Sequence, residues 1–523
     1  MRDEDVRTCL RVLAELADAP HDDPDLASVR QAVSVFVKKT RGRQKAGERR
    51  RRSEADAAVL AGTATGATDR QEGAPAVSRP VEDAPAPASG VESAPVPQGR
   101  APVPPARRPV APRRTDEAHL RTEDGPRRIG GLLACYACKA HFRQIDGFYH
   151  RLCPPCAEEN RSHRSARTDL SGRRAIVTGG RVKAGFELVL KLLRDGAAVT
   201  ALTRFPSDAR RRFAAVDDHA EWRDRLTVTG IDLRDLPAVV RWCDEQVAAA
   251  EPLDILVNLA AQTLRHPPES YAALIAAERA AGALPARAGA LSARAGALSA
   301  RAGSGPESPD HALPVAGPAG FAERLVRPAG EGSQVTPTVG PDEGSLSAVP
   351  GIVDVAGLLP DPSPVNSWTR LVHEVDPVEL LEVQLINVTA PFVLLGRLRP
   401  LLTRSPWPRR YVVNVSAVEG QFDRMYKGPE HPHTNMAKAA LNMLTRTTAD
   451  ELAGHGVYVT SVDPGWFTDQ QPEPDRHRRT AAGFRPPLDV VDAAARLYDP
   501  IVRGERGDPL YGCFLKDYRV TPW

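Results

Sequence analysis

The residues with the sharpest chemical signature are four cysteines. Cys135 and Cys138, then Cys153 and Cys156, form two Cys-x-x-Cys pairs with fourteen residues between them. Each pair places two thiolates on one tight turn, and two facing turns make the tetrahedral sulfur cage that Zn2+ prefers. Phe142, Ile145, Phe148 and Tyr149 supply a small apolar cover, as expected of a zinc ribbon or knuckle too short to fold without its metal. Two thioredoxin-type redox pairs are the competing reading, but the surroundings lack the strand-to-helix pattern such a pair needs. His141 and His150 are reserve ligands, expected to be bystanders beside four sulfurs. A four-sulfur site is closed, so its expected role is structural or partner-binding.

A second set of residues follows an apolar run, Arg174-Ala-Ile-Val-Thr178-Gly179-Gly. A glycine turn between a strand and a helix lets a phosphate approach backbone amides at the positive end of that helix. Around it the texture is of alternating strands and amphipathic helices: Ala198 to Thr203, Leu226 to Asp232, Leu253 to Ala261, Arg410 to Ala417 and Gly456 to Gly465 as strands, with helices at Phe186 to Arg194, about Val378 to Leu402 and Met436 to Leu452. This predicts an α/β fold with a doubly wound parallel sheet.

From about Leu170 to the C-terminus, these residues resemble the short-chain dehydrogenases/reductases, and the matches fall in the family's order. Thr178, Gly179 and Gly185 are similar to its glycine motif, Asp232 to its adenine-contacting acid, and Asn258-Leu259-Ala260-Ala261 to its Asn-Asn-Ala-Gly strand. Asn387 resembles the active-site asparagine, Lys438 the lysine of the Tyr-x-x-x-Lys motif, and Pro464-Gly465 with Thr468 the nicotinamide segment. The resemblance implies a Rossmann-type domain, a nicotinamide cofactor and oxidoreductase chemistry on a small carbonyl or alcohol substrate. It implies NADP rather than NAD, because Arg204 follows the second strand where an NAD-selective site places an acid, and arginine can hold the 2′-phosphate.

Four departures bear on function. Lys183 stands at the motif's middle glycine, where with Arg181 it puts cations beside the phosphates, and Leu259 replaces the second asparagine. Ala417 occupies the catalytic serine's position and Thr434 the tyrosine's. A threonine hydroxyl is too weak an acid to replace the tyrosine at neutral pH. Tyr426, His431 or His433 is therefore expected to stand in for it, and Ser416 for the serine. The alternative is a catalytically inactive NADP-binding sensor or scaffold.

The remaining sequence frames these sites. Residues 1–60 read as a helical hairpin running into basic residues Arg41 to Arg52, and 61–128 as a disordered Pro/Ala-rich linker. The cysteine module takes 129–164 and the dehydrogenase-like domain 165–523, interrupted at about 265–364 by a low-complexity insertion with Ala-Arg-Ala-Gly-Ala-Leu-Ser repeats. With 48 prolines, 40 glycines and only 5% aromatics in 523 residues, a single globule of the whole length is excluded. No uninterrupted apolar run suits a membrane span, and the charged start Met-Arg-Asp-Glu-Asp points to the cytoplasm. The net charge of +3 names no partner. Nucleic acid is disfavoured because no aromatics interleave with the basic run. A protein partner for the cysteine module or N-terminal helices, and a homo-oligomer, stay open.

Overall fold

A computed structural model describes residues 2–20, 23–77, 127–282, 353–424 and 426–523. The described residues form two compact units. One comprises residues up to Ala166 together with Pro464–Asp469 and His477–Asp499; the other comprises Arg167–Asp463, Gln470–Arg476 and Pro500–Trp523.

The first unit opens with α1 (Asp3–Asp18) and α2 (Ala27–Ala61), separated by a stretch that holds Pro20 and Pro24. The expected hairpin is corrected in two ways. The second helix runs through the basic residues to Ala61, because Ala, Arg, Glu and Lys are good helix formers and two internal glycines do not stop it. Neither helix buries a residue, and Leu10 and Phe36 are 62% and 67% exposed. The expected linker also begins later. Thr63, Ala64, Thr65 and Ala67 are buried, Thr65 donates its amide to Phe148 O at 2.9 Å, and the proposed linker's body, 78–126, lies outside the described residues.

The cysteine module follows as an antiparallel pair, β1 (Arg127–Ala134) and β2 (His141–Ile145), and a helix, α3 (Pro154–Ser165). Its core joins Ile129, Phe142, Ile145, Phe148, Tyr149 and Leu152 with Leu488, from a distant part of the chain. Arg164, its side chain 10% exposed, lies between the buried Asp489 and Asp492, with nitrogen–oxygen distances of 2.6 and 2.9 Å to the first and 3.0 Å to the second. Tyr149 donates to Asp492 at 2.6 Å. No spacing in the sequence announces this pairing.

The second unit is an eight-stranded sheet: β3 (Arg174–Thr178), β4 (Ala198–Thr203), β5 (Leu226–Gly230), β6 (Ile255–Asn258), β7 (Arg410–Val415), β8 (Val457–Val462), β9 (Phe514–Lys516) and β10 (Arg519–Thr521). The spatial order is β10-β9-β8-β7-β6-β3-β4-β5, parallel except for β10. Central strands β6 and β7 are buried at every position, which is why they read as continuous apolar runs, whereas edge strand β5 has one buried residue. This is the Rossmann-type fold expected. The last two strands went unpredicted because three residues are too few to show a period.

Helices α4 (Lys183–Arg194), α5 (Pro206–Ala214), α6 (Leu236–Ala249), α7 (Ala272–Ala280), α8 (Pro377–Gln384), α9 (Ala390–Arg404) and α10 (Pro432–Ala453) flank the strands, followed in the chain by α11 (Glu473–Ala481) and α12 (Val490–Glu505). The continuous helix Pro377–Arg404 is long and apolar enough to cross a bilayer, but Leu394, Leu395, Leu398, Leu401 and Leu402 lie in the core against Trp242 and Val412. The insertion is narrower than expected. Residues 283–352 lie outside the described residues, but its flanks pack: Leu274, Ala356 and Leu358 form a cluster with Phe205. The fully buried Glu278 accepts the amides of Ser207 and Asp208 at 3.0 and 2.9 Å, capping α5.

Candidate functional site

The chain leaves β3 in one direction for β4 and β5, then returns to β3's other side for β6 to β9. The order reverses between β3 and β6, and in such sheets ligands usually sit at the carboxyl ends of the strands at that point. Thr178, Asn258, Asn414 and Ser461 stand in register across four strands at this end. Thr178 Oγ1 accepts the amides of Leu259 and Ala260, both at 2.9 Å. Asn258 Nδ2 donates to Asn414 Oδ1, and Asn414 Nδ2 to Thr445 Oγ1, each at 2.8 Å. This buried polar row ties together the carboxyl ends of the central strands.

The glycine turn needs its glycines. Gly179 has φ +74°, and a Cβ there would meet Ala260 Cα at 2.9 Å; at Gly185 a Cβ would meet Gly179 O at 2.2 Å. A dinucleotide pyrophosphate needs such close backbone approach, and α4 begins directly behind it. Lys183 adopts φ +55°, so a lysine holds the left-handed conformation for which glycine is suited.

The flanking cations are placed differently from one another. Arg181 is buried and committed to Asp208 Oδ2 at 2.5 Å and Ala356 O at 2.8 Å. Arg204 lies over the rings of Phe205 and Tyr271, 5.4 and 5.0 Å from their centroids. Asp232 is gripped by Arg234; burial alone would raise its pKa, and the guanidinium instead holds it below the usual carboxylate range.

Asn387 sits in one turn of π-helix, 385–389, between α8 and α9. Its Oδ1 accepts the Gln262 amide at 2.8 Å and its Nδ2 donates to Gln262 O at 3.1 Å, so it pins the loop leaving β6. Lys438 Nζ donates to Val415 O at 2.7 Å; burial lowers its pKa to about 8, with Glu419 and Asp463 opposing. The hydroxyls of Ser416 and Thr434 are buried and have no hydrogen-bond partner among the described residues. Of the expected stand-ins for tyrosine, Tyr426 is 75% exposed. His431 stacks on Trp368 at 4.0 Å with Nδ1 2.8 Å from Trp368 O, and His433 is buried with Nε2 3.3 Å from Glu379 Oε1. Glu379, which sequence reasoning missed, also accepts from Arg370 at 2.6 Å.

In the first unit, Cys135 and Cys138 lie in the turn between β1 and β2, closed by the Cys135 amide on Ala140 O at 2.9 Å; Cys153 caps α3 and Cys156 lies in its first turn. All four sulfurs fall within 4.8 Å of one another, and Cys138 and Cys153 are 3.6 Å apart. Tetrahedral zinc with sulfur at about 2.3 Å puts its ligands roughly 3.8 Å apart, so the cluster is compatible with one ion. His150 is occupied elsewhere, by Thr65 Oγ1 at 2.8 Å and Arg485 O at 3.3 Å. Pro464, Gly465 and Thr468 belong to this unit too, by their packing.

The strand order and the flanking helices define a doubly wound α/β unit of Rossmann type. Residues 333–477 match the short chain dehydrogenase family model. An uncharacterized protein of Acanthamoeba polyphaga mimivirus, R665, is 29% identical over 386 residues, 70% of this chain and 71% of its own length. Probable oxidoreductases of Streptomyces antibioticus and Streptomyces lividans are 45% and 39% identical over 94 and 89 residues, and the chain spans only 28% of the length of each. Among solved structures, a Pseudomonas aeruginosa RhlG/NADP complex has 18% identity and a TM-score of 0.40, covering 66% of this chain and 95% of that one. An NADPH-bound carbonyl reductase from chicken fatty liver has 15% identity and a TM-score of 0.40, covering 68% and 100%. The matched segment is similar to the short chain dehydrogenases, and the strand order is that of a Rossmann-type α/β sheet.

Proposed function

We propose that the chain is an NADP-dependent oxidoreductase of the short-chain type, acting on a carbonyl or alcohol through a rebuilt proton-transfer site. The observation that carries this is the interlocked pair Gly179 and Gly185 at the point where the strand order reverses. Thr178, Gly179, Gly185 and Ala260 would line the pyrophosphate, Asn258 the nicotinamide side, and Arg204 the 2′-phosphate. Lys183 is close enough in sequence to the turn to add a cation, while Arg181 serves by holding Asp208 and the turn's outer wall. Asp232 contacts adenine only by loosening from Arg234. Bound NADPH supplies a hydride to a carbonyl carbon, and NADP+ accepts one from an alcohol.

Everything else falls to the chain. The Lys438 amine, held by Val415 O, faces the ribose hydroxyls in this reading, and Asn387 fixes the Gln262 loop beside them. By the family resemblance, Pro464, Gly465 and Thr468 would be the nicotinamide segment. The unpartnered hydroxyls of Ser416 and Thr434 are donors for a substrate oxygen, but neither is acid enough to give up a proton at neutral pH. A titratable group on residues 426–433 would have to supply it in the reducing direction and take it back in the oxidising one. Burial holds the His431 pKa below its ordinary value, which favours the proton-accepting role in alcohol oxidation over the donating one.

The second reading, an inactive NADP-binding sensor or scaffold, is favoured by the same two replacements, Ala417 and Thr434, and by the outward position of Tyr426. NADPH oxidation over a panel of carbonyl compounds separates the two. A large rate loss in His431→Ala, His433→Ala or Tyr426→Phe supports the enzyme and names the acid. Activity only in Ala417→Ser with Thr434→Tyr supports the sensor.

One Zn2+ on Cys135, Cys138, Cys153 and Cys156 completes the proposal, with a structural role because four sulfurs leave no open position. Metal analysis tests it: about one zinc per chain is expected, lost in Cys135→Ser plus Cys153→Ser.

A further inference from the structure

Tyr136 is the second residue of the Cys135-Tyr-Ala-Cys138 turn, and its hydroxyl accepts the backbone amide of Trp466 at 2.9 Å. A Cβ on Gly465 would stand 3.4 Å from the same oxygen and 2.6 Å from Leu488 Cδ1, so Pro464–Phe467 is fitted closely against the cysteine turn. Leu488 is buried among Cys135, Cys153 and Cys156, and Phe467 packs on that cluster. The Leu488 amide in turn donates to Trp466 O at 3.3 Å. The segment is thus held from both sides, by an outward hydroxyl of the first cysteine turn and by a leucine seated on the second. A four-sulfur site whose only task was to fold a free-standing ribbon would need neither contact.

We infer that the cysteine turn is a clamp for residues 464–468, with Tyr136 as its positioning residue. This rests on the reading above, in which that segment meets the nicotinamide. Metal occupancy then sets the geometry of a cofactor-binding loop more than 300 residues away in the sequence. Zinc holds Cys135 and Cys138 at fixed separation, the turn aims the Tyr136 hydroxyl, and the hydroxyl fixes the Trp466 amide. The metal itself touches neither cofactor nor substrate.

The test is hydrogen exchange of the peptide spanning 464–468 in the full chain, read beside zinc content and the Kd for NADPH. Tyr136→Phe keeps the ring and removes only the acceptor, so zinc content should stay at that of the native protein. Exchange at this peptide should speed up about fivefold, as for loss of one ordinary hydrogen bond, and the Kd for NADPH should rise by a similar factor. Zinc removal from the native protein should deprotect the same peptide. Unchanged exchange in Tyr136→Phe overturns the inference, whether or not zinc removal has an effect. Faster exchange with an unchanged Kd also overturns it, because the clamp would then serve something other than the cofactor. A native protein that binds no NADPH refutes the function proposed above, while the exchange result still decides whether Tyr136 holds the segment.

Discussion

Lys183 holds φ +55° in the turn where α4 begins, a conformation that costs an L residue roughly 1 kcal/mol and glycine almost nothing. Lys183→Gly should therefore raise the melting temperature, corresponding to about 1 kcal/mol, although glycine is a poorer helix former; a lower melting temperature would mean the lysine side chain contributes more than its backbone costs. Lys438 offers a test in pH. Its pKa falls on folding from the ordinary 10.5 to about 8, so the native state binds fewer protons than the unfolded state between those values. Stability of the nucleotide-free protein should rise as pH climbs from about 8 to 10.5, and Lys438→Met should flatten that rise. Equal slopes in both proteins would show that the amine keeps its charge at no cost. At this scale the cysteines, Gly179, Gly185, Asn387 and Lys438 were legible because each chemistry demands one residue type at a set spacing. Glu278, Glu379 and Tyr136 were not, because their partners are fixed only by tertiary packing.

The buried group Arg164, Asp489, Asp492 and Tyr149 ties α3 to the start of α12 within the first unit. Burial would raise the Asp489 pKa, but the Arg164 guanidinium more than reverses this and holds it at about 2. Arg164→Met leaves two carboxylates in the interior without their cation, and should destabilise by roughly 3–5 kcal/mol in urea unfolding. A loss below about 1 kcal/mol would mean that water reaches the site. Glu278→Ala removes the acceptor for two amides at the start of α5 and should cost about 1–2 kcal/mol. The central strands could be read because burial on both faces writes itself as an unbroken apolar run. The π-helical turn at Asn387 left no mark, since its residues, Leu-Ile-Asn-Val-Thr, suit an ordinary helix equally well. The continuation of α2 past Lys39 was obscured by its charge, which signals a solvated surface and says little about helicity.

At the scale of the whole molecule, chain order and packing disagree. A reading along the sequence separates a cysteine module ending near residue 164 from a domain starting there, yet Pro464–Asp469 and His477–Asp499 pack with the module. Contacts between residues more than 300 positions apart have no sequence signature. The repeat tract behaves oppositely: it has few large apolar groups to contribute, and loop-closure cost changes slowly with length. Replacing residues 284–350 with a short Gly-Ser linker should leave the melting temperature and nucleotide affinity unchanged, provided α7 and residues 353–360 are kept. Loss of cooperative unfolding would show that the tract belongs to the core.

The central claim is that the glycine turn at Gly179 takes NADP, with Arg204 choosing it over NAD. Calorimetric titration of NADP+ and NAD+ into the zinc-loaded native protein and into Arg204→Ala tests this most directly. NADP+ should bind the native protein at least about tenfold more tightly than NAD+, as expected of a charge-assisted phosphate contact, and the preference should collapse in Arg204→Ala with NAD+ affinity little changed. No binding of either nucleotide, or equal affinities that Arg204→Ala leaves equal, would contradict the account.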